Sequence, residues 1–320
     1  MTEISQIRMP HSYAIGITAA LAAALVWSMN FVVPFVIDSY SVFDFALLRF
    51  VISGGVGVIT LAWKWDKARH LVLRDWLVAA LLVFIGYVGY FLLVAGSAIY
   101  VGPVIAPAIL GIVPVVLAIA GNLRQGTVPW RLLAAPLMLV VLGLWLVNRE
   151  TPANIDYSAT PTLLRGMLLA IGAVALWTWF GLANQAALAV RPNMDTGIWT
   201  ALILIGGGVE MLAFFPVGAL LGVFQIPHLG LSWKAAGPLY VWGISLAFLS
   251  SVGGTWAWTI AARNLSVALS AQLIVAETGF GAIFGLAVHS RWPTWAEATG
   301  LAALIFGVVT AIRIFYRKNG

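Results

Sequence analysis

No cysteine occurs in the 320 residues, so the chain has no disulfide, no thiolate metal site and no thiol chemistry. Charge is scarce as well. Only 9% of the residues are Asp, Glu, Lys or Arg, where soluble domains carry roughly 25%. With 62% apolar residues, that shortage excludes an ordinary soluble enzyme, whose surface would need polar cover this chain cannot supply. It excludes a disordered chain for the opposite reason, since disorder needs low hydrophobicity. Histidine is rare too: His11, His70, His228 and His289 all fall in expected loops or at helix ends. No pair of them has metal spacing on one helix face, no H-E-x-x-H occurs, and no P-loop is present. A Ser/His/Asp site would require an intramembrane His. The reading is therefore no enzyme, no metal and no cofactor.

What is present is a series of long apolar runs. A membrane-spanning helix needs about 20 such residues, and ten runs qualify: 15–37, 45–63, 76–100, 101–123, 132–148, 166–190, 196–223, 235–262, 265–288 and 294–312. The first is too long for a cleaved signal core and is read as a retained helix. Gly102-Pro103 is expected to turn the chain between the third and fourth runs. The remaining polar stretch, 149–165, is about one loop long, so no extramembrane domain is expected. Helices are the element that lipid permits, because the bilayer offers the backbone no partner.

The net charge of +6 sets orientation rather than a nucleic-acid surface. With the N-terminus in the cytoplasm, inside segments hold Arg8, Lys64, Lys67, Arg69, Arg74, Arg124, Arg131, Arg191, Arg263, Arg313, Arg317 and Lys318. Outside segments hold only Arg149, Arg165, Lys234 and Arg291, and both termini fall inside. The chain also repeats. An offset of 150 aligns Gly16, Ala20, Ala23 and Trp27 with Gly166, Ala170, Ala173 and Trp177. An offset of 164 aligns Pro129, Gly143 and Arg149 with Pro293, Gly307 and Arg313. Five helices per half is an odd number, so the second half, 151–320, would enter the membrane opposite to the first, 1–150. Such inverted repeats recur in transporters.

Three charges lie inside the runs: Arg49, Glu210 and Glu277. Each costs about 2.5–3.5 kcal/mol at a helix centre on insertion scales, so each wants a reason. Glu210 and Glu277 sit mid-span, where a substrate amine or a coupled proton would be met. Arg49 lies about one turn from the outer end of its helix and is read as a structural charge, snorkelling outward or meeting Asp44. Among neutral groups, Trp27, Asn30, Tyr87, Tyr90, Trp177, Gln185, Trp256 and Gln272 are read, with Glu277, as lining a cavity for flat, apolar or cationic solutes. Trp63, Trp65 and Trp76 read as an interfacial belt. Pro103, Pro107 and Pro114 fall in one run, and the inner two are expected to kink it beside the transport path.

Gly16 to Trp27, Ala46-Leu-Leu-Arg49-Phe50, Pro114-Val-Val and Ala276-Glu277-Thr278 together resemble the drug/metabolite transporter superfamily, in its ten-helix form with two EamA-type repeats. Within it the chain is most similar to the YddG-type exporters of aromatic amino acids. It departs at Arg124-Gln125 and Ser290-Arg291, where Gly-Glu is common, and at Thr278, where proline is common. The resemblance implies an all-α polytopic membrane protein of two inverted five-helix repeats around a central cavity. It implies a secondary transporter of the bacterial inner membrane that exports amino acids and related metabolites by alternating access, with a facilitated-diffusion channel or pore, or a drug/metabolite carrier of a different substrate class, as the alternative. The partners expected are a small solute and the lipid bilayer, not nucleic acid, and a monomer is compatible with this.

Overall fold

The structure is a computed structural model that describes residues 11–126, 128–148, 160–288 and 290–319. Arg8, Arg149, His289 and most of the polar connection 149–165 lie outside the described residues. Among the described residues every regular element is a helix. Nine helical segments are long and apolar enough to cross a membrane: Ser12–Phe35, Val42–Trp63, Leu73–Ser97, Trp130–Val147, Leu163–Ala189, Thr196–Leu220, Trp233–Asn264, Val267–Val288 and Trp295–Arg317.

The elements, in chain order, are α1 (His11–Ser28), α2 (Val42–Trp63), α3 (Trp65–Ala68), α4 (Leu73–Val83), α5 (Gly89–Leu110), α6 (Val113–Gln125), α7 (Trp130–Asn148), α8 (Thr160–Ala189), α9 (Thr196–Leu220), α10 (Ile226–Leu229), α11 (Trp233–Leu246), α12 (Thr255–Asn264), α13 (Val267–Ile274), α14 (Ala276–Val288) and α15 (Trp295–Asn319). Two π-helical stretches, Phe84–Val88 and Ala247–Gly254, join α4 to α5 and α11 to α12.

Nine of the ten expected runs coincide with these segments. The fourth does not. The turn expected at Gly102-Pro103 is replaced by unbroken helix to Leu110, and the chain breaks at Gly111-Ile112 instead. Pro114 explains the site of the break. It has no N–H to give to a carbonyl one turn back, so it is accommodated in the first turn of a new helix, α6, where that donor is not needed. The proline thus starts a helix rather than kinking one. At 13 residues, or about 20 Å, α6 is shorter than the bilayer core of about 30 Å.

Local chemistry sets the other ends. The Ser41 side chain and Asp44 form a reciprocal box at the start of α2, with bonds of 3.1 and 2.8 Å. The Asp195 carboxylate caps α9 through the N–H groups of Gly197 and Ile198 and also takes the Lys64 ammonium at 2.6 Å. Burial alone would raise the Asp195 carboxyl. The Lys64 contact, the Ile198 N–H and Lys67 outweigh it and hold the group down to about 2. Arg191 pairs with Asp75 at 2.8 Å beside it, so one end of the bundle is tied by ionic contacts between α2 and α9 and between α4 and α8.

The most extensive helix pairs are α2 with α9, α7 with α15 and α5 with α8, followed by α1 with α12 and α6 with α13. Glycines let the first two close. A Cβ on Gly57 would stand 2.8 Å from the Ala201 carbonyl oxygen, and one on Gly208 would stand 3.1 Å from that of Phe50. A Cβ on Gly143 would stand 2.8 Å from the Gly300 carbonyl oxygen, and one on Gly307 would stand 3.3 Å from that of Pro136. Helices in lipid associate through such close backbone approach rather than through a hydrophobic drive.

Candidate functional site

The centre of the bundle is aromatic. Trp27, in the last turn of α1, has its ring centre 5.8 Å from that of Trp177 on α8 and 5.6 Å from that of Trp258 on α12. Its indole N–H donates to the Ser250 carbonyl at 3.0 Å, so the π-helical stretch before α12 supplies the acceptor that a buried indole needs. Trp177 in turn meets Tyr90 at 5.0 Å and Phe180 at 5.1 Å, and Phe180 meets Tyr87 at 5.3 Å. Both tyrosines stand on the segment Leu73–Ser97, one just inside and one just past the other π-helical stretch. Insertions of this kind re-aim side chains and recur at functional sites.

A polar group adjoins this aromatic centre. The chain leaves α-helical geometry after Ser28, in two short 3-10 turns, and Asn30 lies in the first of them. The Asn30 amide donates to the Trp27 carbonyl at 2.7 Å and to the Ser250 hydroxyl at 2.9 Å. Arg49 donates from Nη1 to the Asn30 side-chain oxygen at 3.1 Å and to the Ser250 hydroxyl at 3.4 Å. Its guanidinium lies 4.6 Å from the Phe50 ring centre. The expected contact with Asp44 is not made. That carboxylate instead accepts the Ser41 N–H and the backbone N–H groups of Gln225 and Ile226, all local or loop donors.

Glu277 lies in the first turn of α14, just after the break at Val275, where the helix N-terminus favours negative charge. One turn on, Gly281 packs against the Phe31 ring, which sets this part of α14 against the end of the first span. Tyr90 lies within electrostatic reach of Glu277, and Tyr87 of Arg49. Glu210 is elsewhere, in mid-α9, with a buried Oε2 that has no hydrogen-bond partner. Among the described residues, none of the three intramembrane charges is paired with another. Gln272, fully buried on α13, has neither amide atom bonded.

A cleft of about 550 Å³ opens at the ionic end between α6, α8, α12 and α13, with Arg124, Gln125, Gln185 and Arg263 on its walls. Gln185 also lines a small pocket behind it, whose far wall includes Trp258 and Ser270. The Gln185 amide donates to the Leu265 carbonyl at 2.6 Å and accepts from Gln125, so it stands at the neck between cleft and pocket.

Of the residues expected to line a cavity, Trp27, Asn30, Tyr87, Tyr90, Trp177 and Glu277 gather around one centre, and Gln185 lines the cleft. Trp256 does not join them: half of it is exposed on α12. Trp258, two positions on and 3% exposed, occupies the place expected for it. Residues two apart on a helix point some 200° apart, so only one of the two could face inward. The sequence reading did not single out Ser250, the group on which Trp27, Asn30 and Arg49 converge. A lone serine in an apolar run carries no signal of its own.

Residues 14–149 match the EamA-like transporter family. Over 308 residues the chain is 28% identical to "Inner membrane protein YtfF" of Escherichia coli (strain K12), covering 93% of this chain and 95% of that protein. A solved structure, described only as the crystal structure of a protein, shares the fold with a TM-score of 0.75 across 96% of this chain and 99% of that one, at 16% identity. The family match is to transporters and not to an enzyme family.

Proposed function

We propose that the whole chain is an EamA-like transporter, built as two inverted repeats, 1–150 and 151–320, and exporting small organic solutes by alternating access. The observation that carries this reading is that the packing contacts come in pairs. Gly57 against Ala201 becomes Gly208 against Phe50 when 151 residues separate the partners, Phe50 from Ala201 and Gly57 from Gly208. Gly143 against Gly300 becomes Gly307 against Pro136 when 164 separate them. The same 164 carries Phe84–Val88 into Ala247–Gly254, and the break at Gly111-Ile112 onto the break at Val275. Doubled contacts of this kind support a pseudo-twofold axis in the membrane plane. Such an axis gives two arrangements of similar energy, one open to each side.

The cleft beside Arg124 and Arg263 is the inward mouth in this reading. The Lys and Arg bias, which places both termini in the cytoplasm, and the printed name of the E. coli relative support the inner membrane. Clustered indoles and phenols favour aromatic amino acids and related metabolites, the substrate class of the YddG-type exporters. Glu277, unpaired and within electrostatic reach of Tyr90, would hold the substrate ammonium or carry a coupled proton, with Glu210 as a second candidate for coupling. Purified protein in liposomes preloaded with unlabelled phenylalanine should accumulate labelled phenylalanine saturably and faster than unloaded liposomes do. Uptake that stays linear with concentration and ignores the preload would mean a pore and sink the proposal.

A further inference from the structure

We infer that Arg49 is the recognition site for a carboxylate on the transported solute, rather than a charge that only holds the fold. This deepens the transport reading and rests on it. The observation is an unfinished set of bonds. A guanidinium carries five N–H donors in a planar fork. All the hydrogen bonds that the structure gives Arg49 leave from Nη1, and both go to neutral oxygens, Asn30 Oδ1 and Ser250 Oγ. Nε is buried and has no partner. Among the described residues no carboxylate lies within ion-pair distance, since Asp44 is engaged by Ser41, Gln225 and Ile226. The Phe45 and Phe50 rings lend it only weak cation–π support.

A cation inside the membrane left without an anion is costly, and a buried N–H without an acceptor adds to that cost. A carboxylate accepting from the Nε side of the fork in two-pronged fashion would meet both demands at once, and Arg is the side chain whose planar geometry suits this. The surroundings fit a zwitterion. Tyr87 is within electrostatic reach of Arg49, and Tyr90, three residues on, packs against Trp177 and is within electrostatic reach of Glu277. The unpaired guanidinium and the unpaired carboxyl group thus flank one aromatic wall. The network Trp27–Asn30–Ser250 fixes the guanidinium from behind, so the site is preorganised at the junction of α2 with the broken end of the first span and the second π-helical stretch.

The test compares L-phenylalanine with L-phenylalaninamide, which lacks the carboxylate, on the full chain. Wild-type liposomes should take up phenylalanine at least about tenfold better than the amide, because a site built around a bonding partner rejects the analogue lacking it. Arg49→Gln should lower phenylalanine uptake about tenfold and leave the amide within about twofold. Arg49→Lys, a point charge without the fork, should fall between. Equal loss for both compounds, or an undiminished preference, would make Arg49 structural and overturn the inference. If Arg49→Gln does not fold, Arg49→Lys decides by the same comparison. Should wild type move neither compound, the transport reading fails on its own. The carboxylate site is then judged by thermal unfolding in detergent: phenylalanine must stabilise wild type more than the amide does, and the absence of that difference refutes it.

Discussion

Leucine in place of Gly57 will lower the unfolding temperature markedly, while leucine in place of Gly55, two residues earlier on α2, will be tolerated. A Cβ at Gly57 would meet the Ala201 carbonyl at 2.8 Å, the Ile205 side chain at 2.9 Å and Leu204 Cβ at 3.2 Å. The first of these is backbone of α9 and cannot swing aside, so the two helices must part. Overpacking of this kind costs typically 1–3 kcal/mol, occasionally more. Since α2 with α9 is among the most extensive contacts in the bundle, the loss should be at the upper end. At Gly55 an added Cβ meets nothing within 4 Å. Thermal unfolding in detergent should show a fall of roughly 5 °C or more for Gly57→Leu and little change for Gly55→Leu. Gly208→Leu should match Gly57→Leu, because it meets the Phe50 carbonyl and Gly54 Cα across the same interface. A wide difference between the two would argue against the paired contacts.

The second large effect is expected at Trp27. Its replacement by alanine removes three things at once: ring contacts to Trp177 and Trp258, the bond to the Ser250 carbonyl, and the filling of the space beside Gly254. Emptying a buried Trp site costs about 3–5 kcal/mol in soluble cores, or roughly 5–7 °C in the unfolding midpoint for a chain of this size. Transport should fall to background as well, since Asn30 and Arg49 share the Ser250 anchor. Trp256→Ala is the control. Half exposed and outside the cleft, it should change neither measurement by more than a small amount. Comparable losses for both would mean that the aromatic centre is not where the structure puts it.

The contrast between those two tryptophans also marks how far the sequence alone could be read. Apolar run length located nine spans, because lipid allows few other solutions. Trp27 and Trp177, which an offset of 150 aligns, do meet. Which face of a helix looks inward was harder. In a membrane protein the outer face is as apolar as the core, so the periodicity that orients a soluble helix is absent. Hence Trp256, half exposed in the structure, reads in the sequence as a cavity residue. The break at Gly111-Ile112 was misplaced at Gly102-Pro103 because a Gly-Pro pair is the stronger local stop, whereas Pro114 acts by starting a new helix. The two π-helical stretches had no sequence signature at all, yet one presents Tyr87 and the other Ser250. Asp44 looked available to Arg49 by spacing alone. The turn at Gln225 and Ile226, about 180 residues away in sequence, competes for it, and no local pattern reveals that.

Alternation between two arrangements is the claim on which the rest depends, and the natural lack of cysteine makes it accessible. Ala186 lines the cleft beside Arg124 and Arg263, so a single cysteine there, Ala186→Cys, reports whether that mouth is open. In reconstituted vesicles of known orientation, a membrane-impermeant maleimide should modify it from the cytoplasmic face only, and phenylalanine should change the labelling rate. Modification from both faces at equal rates, or a rate indifferent to phenylalanine, would contradict the carrier.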